Sequence, residues 1–313
     1  LSVGGEYGTS ATYLSEMASR EHRGFWSSFQ YVTLVMGHLL ALAVLLVLQL
    51  VLEPEQLRAW GWRIPFAIGA VAAFTALWLR RNMAETESFV RSEADASDGH
   101  QRAQGTLRLL LRHPRALLTV VGLTMGGTLA FYTYTTYVHK FLVNSAGLST
   151  QAAAVVNAST LFVFMLLQPL VGALSDRIGR RPVLIAFGVL GTLLTVPVLS
   201  RLQSVGGAGE AFWLVLLALV VLSGYTAINA VVKAELFPVE IRALGVGLPY
   251  ALTVAVFGGT AESVALWFKR AGMESGFYWY VTACIAVSLV VYVLMPDTRT
   301  HSRIDQDAGP RAG

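Results

Sequence analysis

The sequence predicts an all-α membrane protein. Of its 313 residues 55% are hydrophobic and only 13% are charged, whereas soluble domains average about 25% charged residues. The segments 25–52, 116–138 and 152–174 contain no Asp, Glu, Lys or Arg. Each exceeds the roughly 18 residues that indicate a transmembrane helix. Because the segments lack the alternation of barrel strands, and helices satisfy their own backbone in lipid, helices are predicted.

Nine membrane-spanning helices are predicted along the chain. The sequence is already apolar at Leu1, so we expect the first helix to be partial and to begin upstream of this residue. Apolar runs bounded by polar or charged residues set the predicted ranges: 1–17, 25–52, 64–79, 116–138, 152–174, 183–199, 211–232, 243–268 and 277–295.

Positive charge divides the connecting segments into two sets. Most of the 23 lysines and arginines lie in one set: 18–24, 80–115, 175–182, 233–242 and the tail 296–313. Loops enriched in Lys and Arg face the cytoplasm, so we expect this set and the C-terminus to be cytoplasmic in a multi-pass protein of the bacterial inner membrane. The net charge of +4 is too small and too scattered to indicate a nucleic-acid partner.

The longest polar segment, 80–115, is predicted to be a cytoplasmic central loop. It separates segment 1–79, expected to be the remainder of an N-terminal helical half, from a six-helix half at 116–295. Residues 296–313 are expected to form a cytoplasmic tail.

The two halves share a spaced set of residues. The same types recur with identical spacing in each half: Glu16, Arg23 and Tyr31, then Glu235, Arg242 and Tyr250. Parallel repeats of this kind relate the two halves of some secondary transporters. On this pairing the nine helices correspond to a partial helix 4 through helix 12 of a twelve-helix fold, and three helices are expected upstream of Leu1.

The most specific motif is G-A-L-S-D-R-I-G-R-R at residues 172–181. It resembles the G-x-x-x-D-R-x-G-R-R signature of the major facilitator superfamily, which implies that superfamily's fold. Asp176 can accept hydrogen bonds from a helix N-terminus, where positive partial charge collects, and the arginines can hold the turn at the anionic leaflet. We expect this motif to act in gating rather than in substrate contact through six residues: Gly172, Asp176, Arg177, Gly179, Arg180 and Arg181.

A second segment, 234–245, resembles the corresponding loop of sugar-porter-like members of the superfamily. It contains Glu235 and Arg242. We expect both to form interhelical ion pairs that break and re-form during gating.

Segments 1–10, 29–33, 60–66 and 257–262 resemble the metabolite:proton symporter family, and within it the branch that carries 2-oxoglutarate. The resemblance implies a monomeric carrier that couples H⁺ to uptake of a small carboxylate, with no metal or other cofactor. Citrate, shikimate and proline or betaine are the alternative substrates within the family. A membrane enzyme is disfavoured because H-E-x-x-H and G-x-S-x-G are absent from the sequence. A solute sensor would need a larger soluble domain than 80–115.

Ionisable residues inside predicted helices are candidates for function, since each costs roughly 2.5–3.5 kcal/mol at a helix centre. Arg63 is a candidate substrate ligand because its planar fork matches a carboxylate, although an interfacial arginine is the alternative. Lys140 is either a second cation for the substrate or an interfacial lysine. His38 is expected to be a satisfied buried histidine.

Two carboxylates and three neutral side chains complete the candidate set. Glu6 and Glu262 are candidates for proton coupling, and a structural ion pair is the alternative for each. Tyr7, Gln30 and Tyr132 offer polar contacts to a substrate, with interhelical hydrogen bonding as the alternative.

Overall fold

A computed structural model of the chain describes residues 2–81 and 107–307. Throughout these two ranges the regular structure is helical. Nine long segments follow one another: α1 (Ser2–Met17), α2 (Arg23–Val51), α3 (Arg63–Arg81), α4 (Pro114–Asn144), α5 (Thr150–Ile178), α6 (Arg180–Gln203), α7 (Ala208–Glu235), α8 (Val239–Arg270) and α9 (Glu274–Leu294). Shorter helical turns accompany them: Arg20–His22, Pro54–Gln56, Leu57–Gly61, Leu107–Leu110 and α10 (Arg303–Asp307).

The helix lengths agree with the predicted membrane fold. Within the described residues, seven helices are long and apolar enough to cross a membrane, and the bent pair Pro54–Gly61 and Arg63–Leu79 makes up to one more. The remaining segment, α1, has 16 residues and corresponds to the predicted partial first helix. Most of the central loop expected at 80–115 lies outside the described residues.

Most of the helices from α4 onward extend further than the apolar runs predicted, and α5 and α6 show the consequence for a loop. Helix α5 begins where Ser149 accepts a hydrogen bond from the Ala152 N–H, and it continues to Ile178. Helix α6 starts directly after Gly179. The predicted loop 175–182 is therefore reduced to one residue, because Asp176 and Arg180 are buried and pair with each other, so both can remain helical.

Packing brings the first two helices against later ones. Helix α1 packs against α8, and α2 packs against α5. Helices α4, α6 and α9 pack on one another, with α7 between α5 and α6. Non-α turns interrupt α4 at Tyr132–Tyr137 and α8 at Val254–Gly258. Such turns widen a helix locally and are frequent at functional sites.

Candidate functional site: an arginine-rich interface and a buried lysine

One face of the bundle gathers the arginine-rich turns, and we call it the arginine-rich face. It comprises the turn 18–22, the Gly179 link, the turn 236–238 and the tail after α9. Side chains from these segments contact one another across the ends of α1, α2, α5, α7 and α8. The residues predicted to act in gating all lie on this face.

The carboxylate of Asp176 holds the N-terminal turn of α2. It accepts hydrogen bonds from the backbone N–H groups of Gly24 at 2.8 Å and Phe25 at 2.9 Å. It also accepts one from the Arg180 guanidinium at 2.8 Å. The first N–H groups of a helix are unpaired and carry its positive partial charge, so a carboxylate is stabilised there. The contact expected for Asp176 is present, and it joins α5 to α2.

Gly172 allows the backbones of α2 and α5 to touch. A Cβ atom at Gly172 would lie 2.5 Å from the Gly24 carbonyl oxygen, and one at Gly24 would lie 2.7 Å from the Gly172 carbonyl oxygen. Because the obstructing atoms are backbone, the side chains cannot relieve the clash by changing rotamer.

Replacing Gly172 with alanine is therefore expected to push α2 away from α5. Overpacking of a tight contact costs about 1–3 kcal/mol, so the melting temperature of the full-length protein in detergent should fall by several degrees. Gly209→Ala in α7 is the matched control, because a Cβ atom there meets nothing within 4 Å. Equal melting temperatures for the two variants would contradict the close approach.

Gly179 turns the chain directly from α5 into α6. Its φ of +103° lies in a region that glycine adopts without steric cost. Asp297, which follows α9, accepts a hydrogen bond from the Arg180 N–H at 3.1 Å. Arg181 donates to the last carbonyl groups of α9, and Arg177 is exposed with its carbonyl accepting a bond from a tail arginine at 2.7 Å. The motif thus fastens α9 and the tail to the start of α6.

Two buried ion pairs join the repeated segments crosswise. The Arg23 Nη1 lies 3.6 Å from the Glu235 Oε1, and Arg242 forms an ion pair with Glu16. Arg180 adds a second cation, 3.9 Å from Glu235. The interhelical pairs expected for Glu235 and Arg242 are present, and each takes one partner from α1–α2 and one from the later helices. We call Arg23–Glu235 and Glu16–Arg242 the crossed pairs.

The tail helix α10 adds a carboxylate to each crossed pair. Asp305 accepts a hydrogen bond from Arg23 at 2.9 Å and lies 3.1 Å from the Arg20 Nε. Asp307 pairs with Arg242 and accepts a bond from the first N–H of α8 at 3.1 Å. Partial burial raises the pKa of Asp307 above its ordinary value, and the Arg242 guanidinium opposes that rise. The tail therefore adds ion pairs to those that hold the helix ends together at the arginine-rich face.

A second polar cluster surrounds Lys233 between α1, α7 and α8. The lysine is fully buried, and its Nζ donates to the Asn229 Oδ1 at 2.8 Å and to the Tyr7 hydroxyl at 3.4 Å. Tyr7 donates to Asn229 at 2.6 Å and stacks on Tyr250 with ring centroids 3.7 Å apart. The ammonium lies 4.2 Å from the centre of the Tyr250 ring. We call Lys233, Asn229, Tyr7 and Tyr250 the lysine cluster.

The assignment of Lys233 to a loop at 233–242 is wrong. Helix α7 continues through Glu235, because Lys233 and Glu235 each contact polar or charged partners inside the bundle. A signal was available in the sequence, since Tyr225, Asn229 and Lys233 recur every four residues and so share one face of a helix.

The predicted substrate cation Lys140 and the predicted proton carrier Glu262 form an ion pair with each other. This pair joins α4 to α8 toward the face opposite the arginine-rich face, with side chains 52% and 34% exposed. Glu262 lies inside the predicted span 243–268, and its carboxylate, which follows the break in α8 at Gly259, is partly exposed. The proposed roles of both residues stay predictions.

The predicted substrate ligand Arg63 lies away from both clusters. It is exposed at the start of α3, where its Nη1 donates to the Ala59 carbonyl at 3.1 Å and its guanidinium stacks over Trp62 at 4.8 Å. Arg63 contacts its own chain turn rather than the other helices, as an interfacial arginine does.

The remaining candidates are distributed over three helices. Tyr132 and Gln30 are half-buried, in α4 and α2, and Glu6 is on the exposed side of α1. Tyr132 packs against the non-α turn of α8 at Gly258. His38 was expected to be buried and is exposed on α2, 6.5 Å from the ring of Phe131. Of the neutral candidates, Tyr7 is the one that the structure brings to a charged group.

These features define a polytopic membrane carrier whose helical sets close on one another at a single face. The sugar (and other) transporter family model matches residues 1–100 and 78–308. The alpha-ketoglutarate permease of Escherichia coli K12 is 53% identical over 94% of this chain and 67% of its own length. The citrate-proton symporter of Klebsiella pneumoniae is 32% identical over 91% of this chain and 64% of its own length.

The fold is also that of a solved transporter. A major facilitator superfamily proton:xylose symporter, solved with 6-bromo-6-deoxy-D-glucose, superposes with a TM-score of 0.73 at 18% identity, covering 96% of this chain and 70% of that chain. The chain belongs to the sugar (and other) transporter family, it has the fold of that major facilitator superfamily symporter, and it is a multi-pass inner-membrane protein. It spans about two thirds of the length of the curated relatives it matches.

Proposed function

We propose that the full-length protein is a proton-coupled symporter that imports a small dicarboxylate, with 2-oxoglutarate as the first candidate. The observation that carries the proposal is the 53% identity to the alpha-ketoglutarate permease, against 32% to the citrate-proton symporter. The two relatives match 94% and 91% of this chain. Citrate, shikimate and proline or betaine are the competing substrates.

Proton coupling supplies the driving force that a dianion needs. Moving one charge against 100 mV costs about 2.3 kcal/mol, so a dianion entering a negatively charged interior requires more than one proton. Glu6 and Glu262 are the proposed coupling carboxylates, and Lys140 is placed to respond to the protonation of Glu262 through their ion pair. Arg63, Tyr132 and Gln30 remain proposed contacts along the substrate path.

The arginine-rich face is proposed to be the cytoplasmic gate, in line with the positive-inside rule. The C-terminus then lies in the cytoplasm. In this arrangement, breaking the crossed pairs and the Asp176 contact with α2 opens the carrier inward. Segment 1–79 and segment 116–295 act as the two moving halves of a monomer, with 80–115 as their connection.

Uptake by the full-length protein in sealed proteoliposomes tests the function. Labelled 2-oxoglutarate should accumulate at least tenfold more when the outside is acidic than without a pH gradient, because the coupled protons then move downhill. A protonophore should abolish the difference. Uptake that is indifferent to the gradient refutes symport, and competition by citrate but not by unlabelled 2-oxoglutarate refutes the substrate.

A further inference from the structure

The lysine cluster lies near the depth at which a carrier meets its substrate. Tyr7 precedes the end of α1 at Met17 by roughly ten residues, or about 15 Å, which is half the ~30 Å thickness of the hydrocarbon core. Lys233 is close to the end of α7, but helical side chains lean toward the N-terminus. The Lys233 ammonium therefore reaches up the helix to the level of Tyr7, as their 3.4 Å contact requires.

Within residues 2–81 and 107–307, Lys233 differs from the other buried cations in having no counter-ion. Arg23, Arg180 and Arg242 are each buried and each pair with a carboxylate. Among the described parts of the chain, Lys233 has two neutral hydrogen-bond partners and the faces of tyrosine rings, and no carboxylate. An ammonium has three donors, so one donor and the whole charge remain available.

An unpaired ammonium at this depth is costly to keep. Burying a charge without a partner carries a large desolvation penalty, and intramembrane ionisable residues mark substrate or ion paths. The surrounding tyrosine rings offset part of this cost through cation–π contact. A carboxylate from outside the chain would offset much more of it, because it would bring the opposite charge.

The neighbours of Lys233 are suited to the same ligand. The Tyr7 hydroxyl now donates to Asn229 at 2.6 Å, and the same hydroxyl could donate to a carboxylate held by the lysine. Tyr7 belongs to α1, whereas Lys233 and Asn229 belong to α7. A ligand bound to this cluster would therefore touch both helical sets, which is what a substrate must do to couple its binding to their relative motion.

We propose that Lys233 binds a carboxylate group of the transported anion, with Tyr7 as a second donor to the same group. This inference rests on the proposed function and assigns the cation that Arg63 and Lys140 were expected to supply. Arg63 is exposed and Lys140 is already paired with Glu262, whereas Lys233 is buried with its charge unmatched.

Exchange of labelled 2-oxoglutarate across proteoliposomes without a pH gradient tests the inference in the full-length protein. Lys233→Met should raise the half-saturation concentration at least tenfold, since a hydrogen bond to a charged group contributes about 1.5–3 kcal/mol. Tyr7→Phe, which keeps the ring, should raise it several-fold. Lys269→Met is the matched control, because that lysine lies partly exposed beside Ser145 and Glu274, and it should exchange normally.

The outcomes separate the inference from the proposed function. Normal exchange by Lys233→Met overturns the inference but leaves the proposed function intact. A loss confined to gradient-driven uptake also overturns the inference, because the lysine would then be a proton carrier. If Lys233→Met does not fold, Lys233→Gln takes its place, and normal exchange by a folded Lys233→Gln overturns the inference. A wild-type protein that exchanges citrate instead of 2-oxoglutarate refutes the substrate alone, and the tenfold loss in Lys233→Met is then expected for citrate.

Discussion

Replacing Arg242 with methionine in the full-length protein is expected to destabilise the closed form by about 3–5 kcal/mol, because one partner of a buried ion pair is removed and the other is left charged. The guanidinium is fully buried and pairs with Glu16 of α1 and Asp307 of α10. It also donates to the Phe237 carbonyl at 3.0 Å. Thermal unfolding in detergent should show a fall of many degrees.

Exchanging the two charges tests whether the stability comes from the ion pair between Glu16 and Arg242 or only from the size of the side chains. Glu16→Arg alone should be severely destabilised, since two cations would meet in a buried site. Combining it with Arg242→Glu should recover part of the loss, because the pair is restored in reverse. Purely additive effects of the two substitutions would show that they do not interact.

Two further variants provide a comparison for the fall in melting temperature expected for Arg242→Met. Asp307→Asn should have a smaller effect than Arg242→Met, because Asp307 is only partly buried and Glu16 keeps its partner. Arg201→Met breaks the pair with Glu210 near the opposite face, where the arginine is 59% exposed, and should change the melting temperature little. A fall after Arg201→Met as large as that after Arg242→Met would contradict the importance of burial.

The helical fold could be predicted because the membrane imposes a simple rule. A segment that crosses lipid must be apolar and about 20 residues long, and a single sequence shows both properties. The contact of Asp176 with a helix N-terminus was predictable for a similar reason. A carboxylate in a short turn between two spans has few partners besides an adjacent helix end.

The partners of the ionisable groups were harder to predict, because they depend on contacts between distant segments. The shared spacing of Glu16 and Arg23 with Glu235 and Arg242 indicated a repeat, but it did not reveal that the pairs cross between the two copies. Lys233 was missed because hydropathy places a lysine beside polar residues in a loop. Three-dimensional packing, which returns α1 onto α7, is what encloses it.

Asp176→Asn is expected to weaken the contacts that close the protein at the arginine-rich face, so that the protein is open there more often. The carboxylate accepts three hydrogen bonds, two from N–H groups of Gly24 and Phe25 and one from Arg180. An asparagine has one acceptor oxygen and must direct its amide N–H groups at a donor, and it removes the negative charge from the helix N-terminus. The loss is on the order of 3 kcal/mol, or about a hundredfold in the ratio of closed to open protein.

Accessibility of a buried position on the arginine-rich face measures that fraction. Ser27 is fully buried beside Ser15 at 3.3 Å, so Ser27→Cys in a Cys284→Ser background should react slowly with a membrane-impermeant maleimide. Adding Asp176→Asn should accelerate the reaction at least tenfold and reduce the maximal uptake rate. Glu240→Gln is the matched control, because it changes an exposed acid on the same face and should alter neither. Unchanged labelling in Asp176→Asn would mean that the crossed pairs alone keep the two helical sets together, and the carboxylate at the start of α2 would then have no part in gating.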